Sequence, residues 1–168
     1  MATTDKEVRY DISGYEAVTE AIRELINTYP GLESGEEIKF SVLSENEGKA
    51  MFPVSGGVIV EETESITGHV TQICQYPFFV TYRASGLSEN NKASVKEWLD
   101  TFGKWLEKQP VIINSTTYNI TDYPALTGNR KFVKIERTSP AYLDTISENK
   151  AETWAMQLSA KYQTEFER

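Results

Sequence analysis

The chain has one cysteine and one histidine in 168 residues. Those two scarcities exclude most thiol and metal chemistry. A lone cysteine forms no intrachain disulfide, so nothing points to an oxidising compartment. A structural zinc site takes about four Cys or His ligands at close spacing, and only two such residues exist in total. Long apolar runs are missing as well. None approaches the ~18 residues of a membrane span, and the opening "MATTDKEVRYDISGY" lacks the apolar core of a signal peptide. The expectation is a protein of the cytosol, or of a particle assembled there, with no membrane partner. Basic residues are the third scarcity: 17 Lys and Arg stand against 25 Asp and Glu, for a formal net charge of −8. That balance disfavours a sequence-independent grip on nucleic acid, which depends on clustered cations displacing counterions. Phosphate loops and nucleophile elbows are missing too, and Gly56-Gly57 precedes no helix. Two glycosylation patterns, at Asn114 and Asn119, read as coincidence in a chain with no secretion signal.

What is present reads as one domain. Aromatics make up 11% of the chain, well above what disordered chains carry. Residues 1–12 are polar and read as an arm, followed by a single domain over 13–168. Ser13-Gly14-Tyr15-Glu16 has the form of a capping box. Behind it, Tyr15, Val18, Ile22, Leu25, Ile26 and Tyr29 make one apolar stripe, which predicts a helix over 14–28, ended by Pro30-Gly31. Ile38, Phe40 and Val42 alternate like a strand, and Ala50 to Val54 is a candidate neighbour whose Pro53 marks an edge or an end. A long antiparallel hairpin is expected from 57–63 with 69–83, turning at "TESITG".

The second helix begins at the N-cap candidates Ser88 to Asn91. Val95, Trp98, Leu99, Phe102, Trp105 and Leu106 repeat at three and four, Lys96, Glu97, Asp100, Lys104 and Lys108 form the opposite face, and Pro110 stops it. Residues 111–130 show no sustained period and read as a long loop with room for a short strand. Lys131 to Glu136 follows as a strand. In "ETWAMQLSAKYQTEFER" the residues Trp154, Met156, Leu158, Ala160, Tyr162 and Phe166 share one parity, which a helix would scatter. The fold class is α+β: a mostly antiparallel sheet with two amphipathic helices packed on one face, in the order helix–strands–helix–strands, the other face left wet.

The stretch "HVTQICQYPFFVTYR" joins the only histidine to the only cysteine and so invites a thiol-dyad reading. Parity rejects it. His69 and Cys74 point to opposite faces of a regular strand and sit ~17 Å apart, whereas a nucleophile needs its base within hydrogen-bond reach. Cys74 instead shares an apolar face with Val70, Tyr76, Phe78, Val80 and Tyr82. The acidic run at Glu61, Glu62 and Glu64 lacks the spacing and glycine of a calcium loop, and it reads as a charged hairpin tip. No carboxylate pair stands out among the 25 acids.

The order of elements resembles the tail-terminator proteins of long-tailed bacteriophages, also labelled minor capsid or tail-completion proteins. The resemblance runs over about residues 13–166. It is carried by "YEAVTEAIRELI", "YPFFVTYRASG", "KASVKEWLDTFGKWLEKQP", the "YPAL" loop, "KFVKIERT" and "TWAMQLSAKYQTEF". It implies a non-catalytic virion protein at the head-proximal end of the tail, built without cofactor or metal. Its partners would be further copies of itself in a ring, commonly of six, together with the tail-tube protein, a neck or head-completion protein and, in a contractile tail, the sheath protein. Candidate contact residues are Glu61, Glu62, Glu64 and Ile66 at the hairpin tip, and Tyr118 and Tyr123 in the loop 111–130. The alternatives are another connector or tube-like virion protein, and an unrelated ligand-binding or enzymatic α+β domain.

Overall fold

The computed structural model describes residues 7–86 and 88–168. In chain order it holds β1 (Tyr10–Asp11), a 3-10 turn (Ile12–Gly14), α1 (Tyr15–Ile26), β2 (Ile38–Phe40), β3 (Gly48–Pro53) and β4 (Gly57–Glu64). There follow β5 (His69–Ala84), α2 (Glu89–Leu106), β6 (Val111–Ile113), β7 (Thr116–Tyr118), β8 (Arg130–Arg137), β9 (Tyr142–Ile146) and β10 (Glu152–Glu167). The α+β class and the helix–strands–helix–strands order are as expected.

The frame is a pair of 16-residue strands, β5 and β10, antiparallel over their whole length from Glu152↔Ala84 to Glu167↔His69. Each lends its outer edge to two shorter strands. Along β5, β4 pairs with the stretch from Val70 to Gln75 and β3 with that from Phe78 to Arg83. Along β10, β9 pairs with Glu152 to Ala155 and β8 with Leu158 to Thr164. This division explains a proline in a central strand. The Val54 N–H donates to the Pro77 carbonyl at 3.0 Å. In an antiparallel strand the N–H and C=O of one residue point the same way, so the N–H that Pro77 lacks would fall in the break between β3 and β4.

Alternation sets the layers. The even positions of β5 from Val70 to Val80 are buried, as are Met156, Leu158, Ala160 and Tyr162 of β10. Both helices lie on this face. The Thr19 hydroxyl of α1 meets the Tyr76 hydroxyl at 2.7 Å. Trp98 of α2 packs edge-on against Tyr82 and stacks on Phe102, and Tyr29 sits against Trp98, Phe102 and Trp105. The opposite face carries Ile73, Gln75, Pro77, Phe79, Gln157, Ser159 and Lys161, each at least partly exposed.

Several local expectations are corrected. Ser13 does not cap α1. The N-cap is Gly14 with no side-chain hydrogen bond, because the Ser13 hydroxyl is drawn to Asp11 (3.4 Å) and accepts from Arg130 (3.1 Å). β2 and β3 pair in parallel. Parallel pairs usually need a crossover of a dozen or more residues, but a three-residue strand is short enough for the loop 41–47 to retrace, with Ser41 and Gly48 at positive φ. The loop 111–130 contains a hairpin, β6–β7, turned by Asn114 and Ser115 in the left-handed region. β9 was not expected. Tyr10 and Asp11 belong to the sheet, so the arm boundary at residue 13 moves back, and residues 1–6 lie outside the described residues.

Asp11 anchors this N-terminal strand. Its carboxylate accepts two hydrogen bonds from Arg130, both 2.9 Å, and one from the Tyr162 hydroxyl at 2.8 Å. The Asp11 and Arg130 side chains are only 8% and 11% exposed. Gly57 and Gly14 make room: a Cβ on either would overlap the Tyr162 hydroxyl or the Asp11 carboxylate. Burial pushes the Asp11 pKa up, but the bonds from Arg130 and Tyr162 and the Arg130 charge outweigh it and hold the carboxyl below the usual range. A depressed folded-state pKa stabilises above the ordinary carboxylate pKa, and the gain is lost as pH falls through the folded value. Asp11→Asn leaves Arg130 without its counter-charge and is expected to cost about 3 kcal/mol at pH 7. Urea unfolding should show this as a lower midpoint, with the gap from the wild type closing below about pH 4. An unchanged midpoint at pH 7 would refute the anchoring role.

Candidate functional site

The hairpin β4–β5 turns through Ser65–Gly68. The Gly68 N–H donates to the Ser65 carbonyl (3.0 Å) and the Ser65 N–H to the His69 carbonyl (2.8 Å). Gly68 has φ +88°, a conformation that suits glycine. Ile66, at the apex, is fully exposed. One residue, Val60, bulges from β4 between Ile59↔Cys74 and Glu61↔Ile73. The bulge switches parity, as such insertions do. Glu61 therefore shares the open face with Ile73, while Glu62 and Glu64, opposite Gln72 and Val70, lie on the helix-side face.

The acidic run is thus not one patch. Glu62 accepts from Gln72 (2.7 Å) and pairs with Arg9 (3.3 Å) and Arg168 (3.5 Å). The Gln72 bond and the two arginine charges outweigh partial desolvation and hold its pKa down. Glu64 pairs with Arg168 at 2.8 Å, and the Arg168 N–H donates to the Gly68 carbonyl at 2.8 Å. His69 meets Glu167 at 2.6 Å and Glu165 at 3.7 Å. The tip is laced to the end of β10 by these contacts. Of the three acids, only Glu61 makes no ion pair among the described residues.

The histidine and cysteine stay apart as parity requires: Cys74 faces the core and His69 the exposed strand end. Burial, with the Asp11 charge adding to it, pushes the Cys74 thiol up to about 11, which leaves little thiolate at neutral pH. Among the described residues no group of three or more His, Cys, Asp or Glu is placed to hold a metal ion.

The structure divides the two loop tyrosines. Tyr118 lies on the small hairpin β6–β7, opposite Val111, and is exposed. Tyr123 is half-buried and bonded within the chain: its hydroxyl donates to the Leu106 carbonyl (2.6 Å) and accepts from the Ile135 N–H (3.2 Å). It joins the end of α2 to the outer edge of β8, so its hydroxyl is engaged within the chain.

Sequence reasoning missed a groove of about 720 Å³ beside the hairpin. Its lining mixes the apolar Tyr10, Ile12, Ile59 and Phe166 with polar groups such as Arg130 and Thr164. Ile12 is 84% exposed. Its parts come from residues 10–13, 59–72 and 128–166, and only the pairing of β1 with β4 brings them together. With Ile66 it gives this end of the molecule its exposed apolar surface. Compared with protein-family models and with curated protein sequences, the chain matches none. No described helix is long and apolar enough to cross a membrane.

The hydrogen bond that His69 donates to Glu167, with the charges of Glu167 and Glu165, outweighs desolvation and raises the His69 pKa above 6.5. A raised folded-state pKa stabilises below the unfolded value, and the gain is lost as pH rises through the folded one. NMR titration of His69 should give a midpoint above 6.5 that falls back in Glu167→Gln. An unshifted midpoint in the wild type would mean the tip is not tied to β10 in solution.

Proposed function

We propose that this protein is a structural ring subunit of a phage tail or related particle, acting as a terminator that caps the tail tube and offers a surface to the neck. One observation carries this reading. The sheet has both helices on one face and an open second face, and a hairpin ends at a fully exposed isoleucine, with Tyr10, Ile12 and Phe166 exposed around a groove of mixed lining beside it. A monomer gains nothing from such apolar exposure, which suits contact with another protein. The element order that suggested the resemblance supports the same reading. In it, the open face and the hairpin end are contact surfaces, and the Asp11 cluster and the Tyr123 bridge are internal supports.

The apex, not the paired acids, is the place to perturb, because Glu62 and Glu64 have partners within the chain. Purified protein added to self-assembling tail-tube protein is expected to shorten the tubes seen by negative-stain microscopy and to leave a ring on one end. Ile66→Asp should weaken this capping roughly tenfold, the equivalent of about 1.4 kcal/mol of lost apolar contact, with an unchanged circular-dichroism spectrum. Tubes that elongate as if no protein had been added would refute the terminator reading.

A further inference from the structure

The charge of this chain is distributed unevenly across the width of the sheet. Between Glu16 and Lys49 there are eight acidic and three basic side chains, whereas between Lys104 and Arg137 six basic ones face three acidic. Of the six, Arg130 and Arg137 are paired with Asp11 and Glu107, so the lysines carry the charge of that edge. The first stretch holds α1, β2 and the start of β3, on the β5 flank; the second holds the end of α2 and β8, on the β10 flank. Within the acidic stretch Glu16, Glu20 and Glu24 follow one another at four-residue spacing on the exposed side of α1. Glu20, Glu24, Glu36 and Glu37 line a common depression. Within the basic stretch Lys108 and Lys131 line another, and Lys134 stands directly opposite Lys161 across β8 and β10. Glu20, Glu36 and Lys134 have ion-pair partners in Arg23, Lys49 and Glu136. Glu24 and Glu37 on one edge, and Lys108 and Lys131 on the other, make no ion pair among the described residues. Like charges held close with no counter-charge are destabilising in the monomer.

Neither edge is open to strand addition at its middle. The Asn27 side chain takes both the N–H and the C=O of Ile38 on β2, at 2.8 and 3.2 Å. On β8 the Tyr123 hydroxyl takes the Ile135 N–H and Glu107 takes the Arg137 N–H. A contact at either edge is therefore made by side chains.

From this arrangement we infer that the acidic α1–β2 edge binds the basic β8 edge of a second copy of this chain. This deepens the ring reading and rests on it. The contact is heterologous: different surfaces meet, and each subunit keeps one of each for the next. Opposite charge on the two edges sets the direction of addition and disfavours edge-to-like-edge pairing.

Sedimentation velocity at low and at about 0.5 M salt tests it, because exposed pairs are screened at high ionic strength. The wild type should assemble at low salt and dissociate at high salt. Glu24→Lys with Glu37→Lys, and separately Lys131→Glu with Lys134→Glu, should each raise the protein concentration needed for assembly at low salt by about tenfold or more. The fourfold variant should restore assembly, since its edges are again complementary. Circular dichroism reports whether each variant is folded. If wild-type rings form and both edge variants assemble like the wild type, the edge assignment is overturned while the ring reading stands. If the wild type stays monomeric at low salt, the assignment is also overturned, and tube capping decides the ring reading separately.

Discussion

The sixteen-pair ladder between β5 and β10 is the constraint on which the other elements depend. Its register decides which residues face the helices, and a slip of one residue would move the core-facing side chains of one strand to the wet face. It supplies both outer edges, so β3, β4, β8 and β9 have no independent sheet to join. The helices depend on it too. α1 and α2 bury their stripes against Tyr76, Phe78, Val80, Met156 and Leu158, which only this pairing places side by side. Lys49 shows how tightly the flank is packed. Its ammonium, on a side chain 7% exposed, sits 2.8 Å from Glu36 and over the rings of Tyr82 and Trp98. β5 and α2 supply the rings, and the parallel β2–β3 turn brings in the lysine.

Much of this frame was legible because it is periodic. Parity alone identified β5 and β10 as strands, put Cys74 in the core and separated it from His69. The stripes of α1 and α2 were visible for the same reason, and Ser88 caps α2 as expected, accepting from the Asn91 N–H at 3.3 Å. What was missed depends on contacts distant in sequence or on unusual backbone. Arg130 is 119 residues from Asp11, and nothing near Ser13 reveals that its hydroxyl is diverted there and away from the helix N-terminus. The β6–β7 turn uses Asn114 and Ser115 at positive φ without the glycine that signals a tight hairpin. β9 is five residues long with one half-buried position, too short to show alternation against its neighbours.

The candidate contact surface was legible in outline only. The hairpin and its apex follow from the sequence, but the charge state of the tip does not. Reading Glu61 to Glu64 as one acidic surface assumes that local charge is net charge, and Arg9 and Arg168 enter from elsewhere in the chain to neutralise two of the three acids. Strand alternation, legible in the sequence, already puts Glu61 on one face and Glu62 and Glu64 on the other, and the bulge at Val60 decides which face each takes. Apolar exposure survives this correction better than charge does: among the described residues Ile66 stays fully exposed at the apex, and Ile12 and Phe166 stay exposed around the groove.

If copies join through oppositely charged edges, energetics favours a closed assembly over loose pairs. Exposed ion pairs contribute roughly 0.2–1 kcal/mol each, and a chain with a net charge of −8 repels its copies at longer range. One such contact is too weak to hold a dimer at modest concentration. In a ring every subunit makes two, and the last contact forms within an assembly already joined, at a high effective concentration. Weak, directional edges thus give an all-or-none ring that is sensitive to salt and can be completed on a template. A tube end presenting repeated sites would supply that template and lower the concentration needed for closure. The apolar hairpin end would then hold the ring to its neighbour while the charged edges hold the subunits to one another, so that the two kinds of surface divide the work between them.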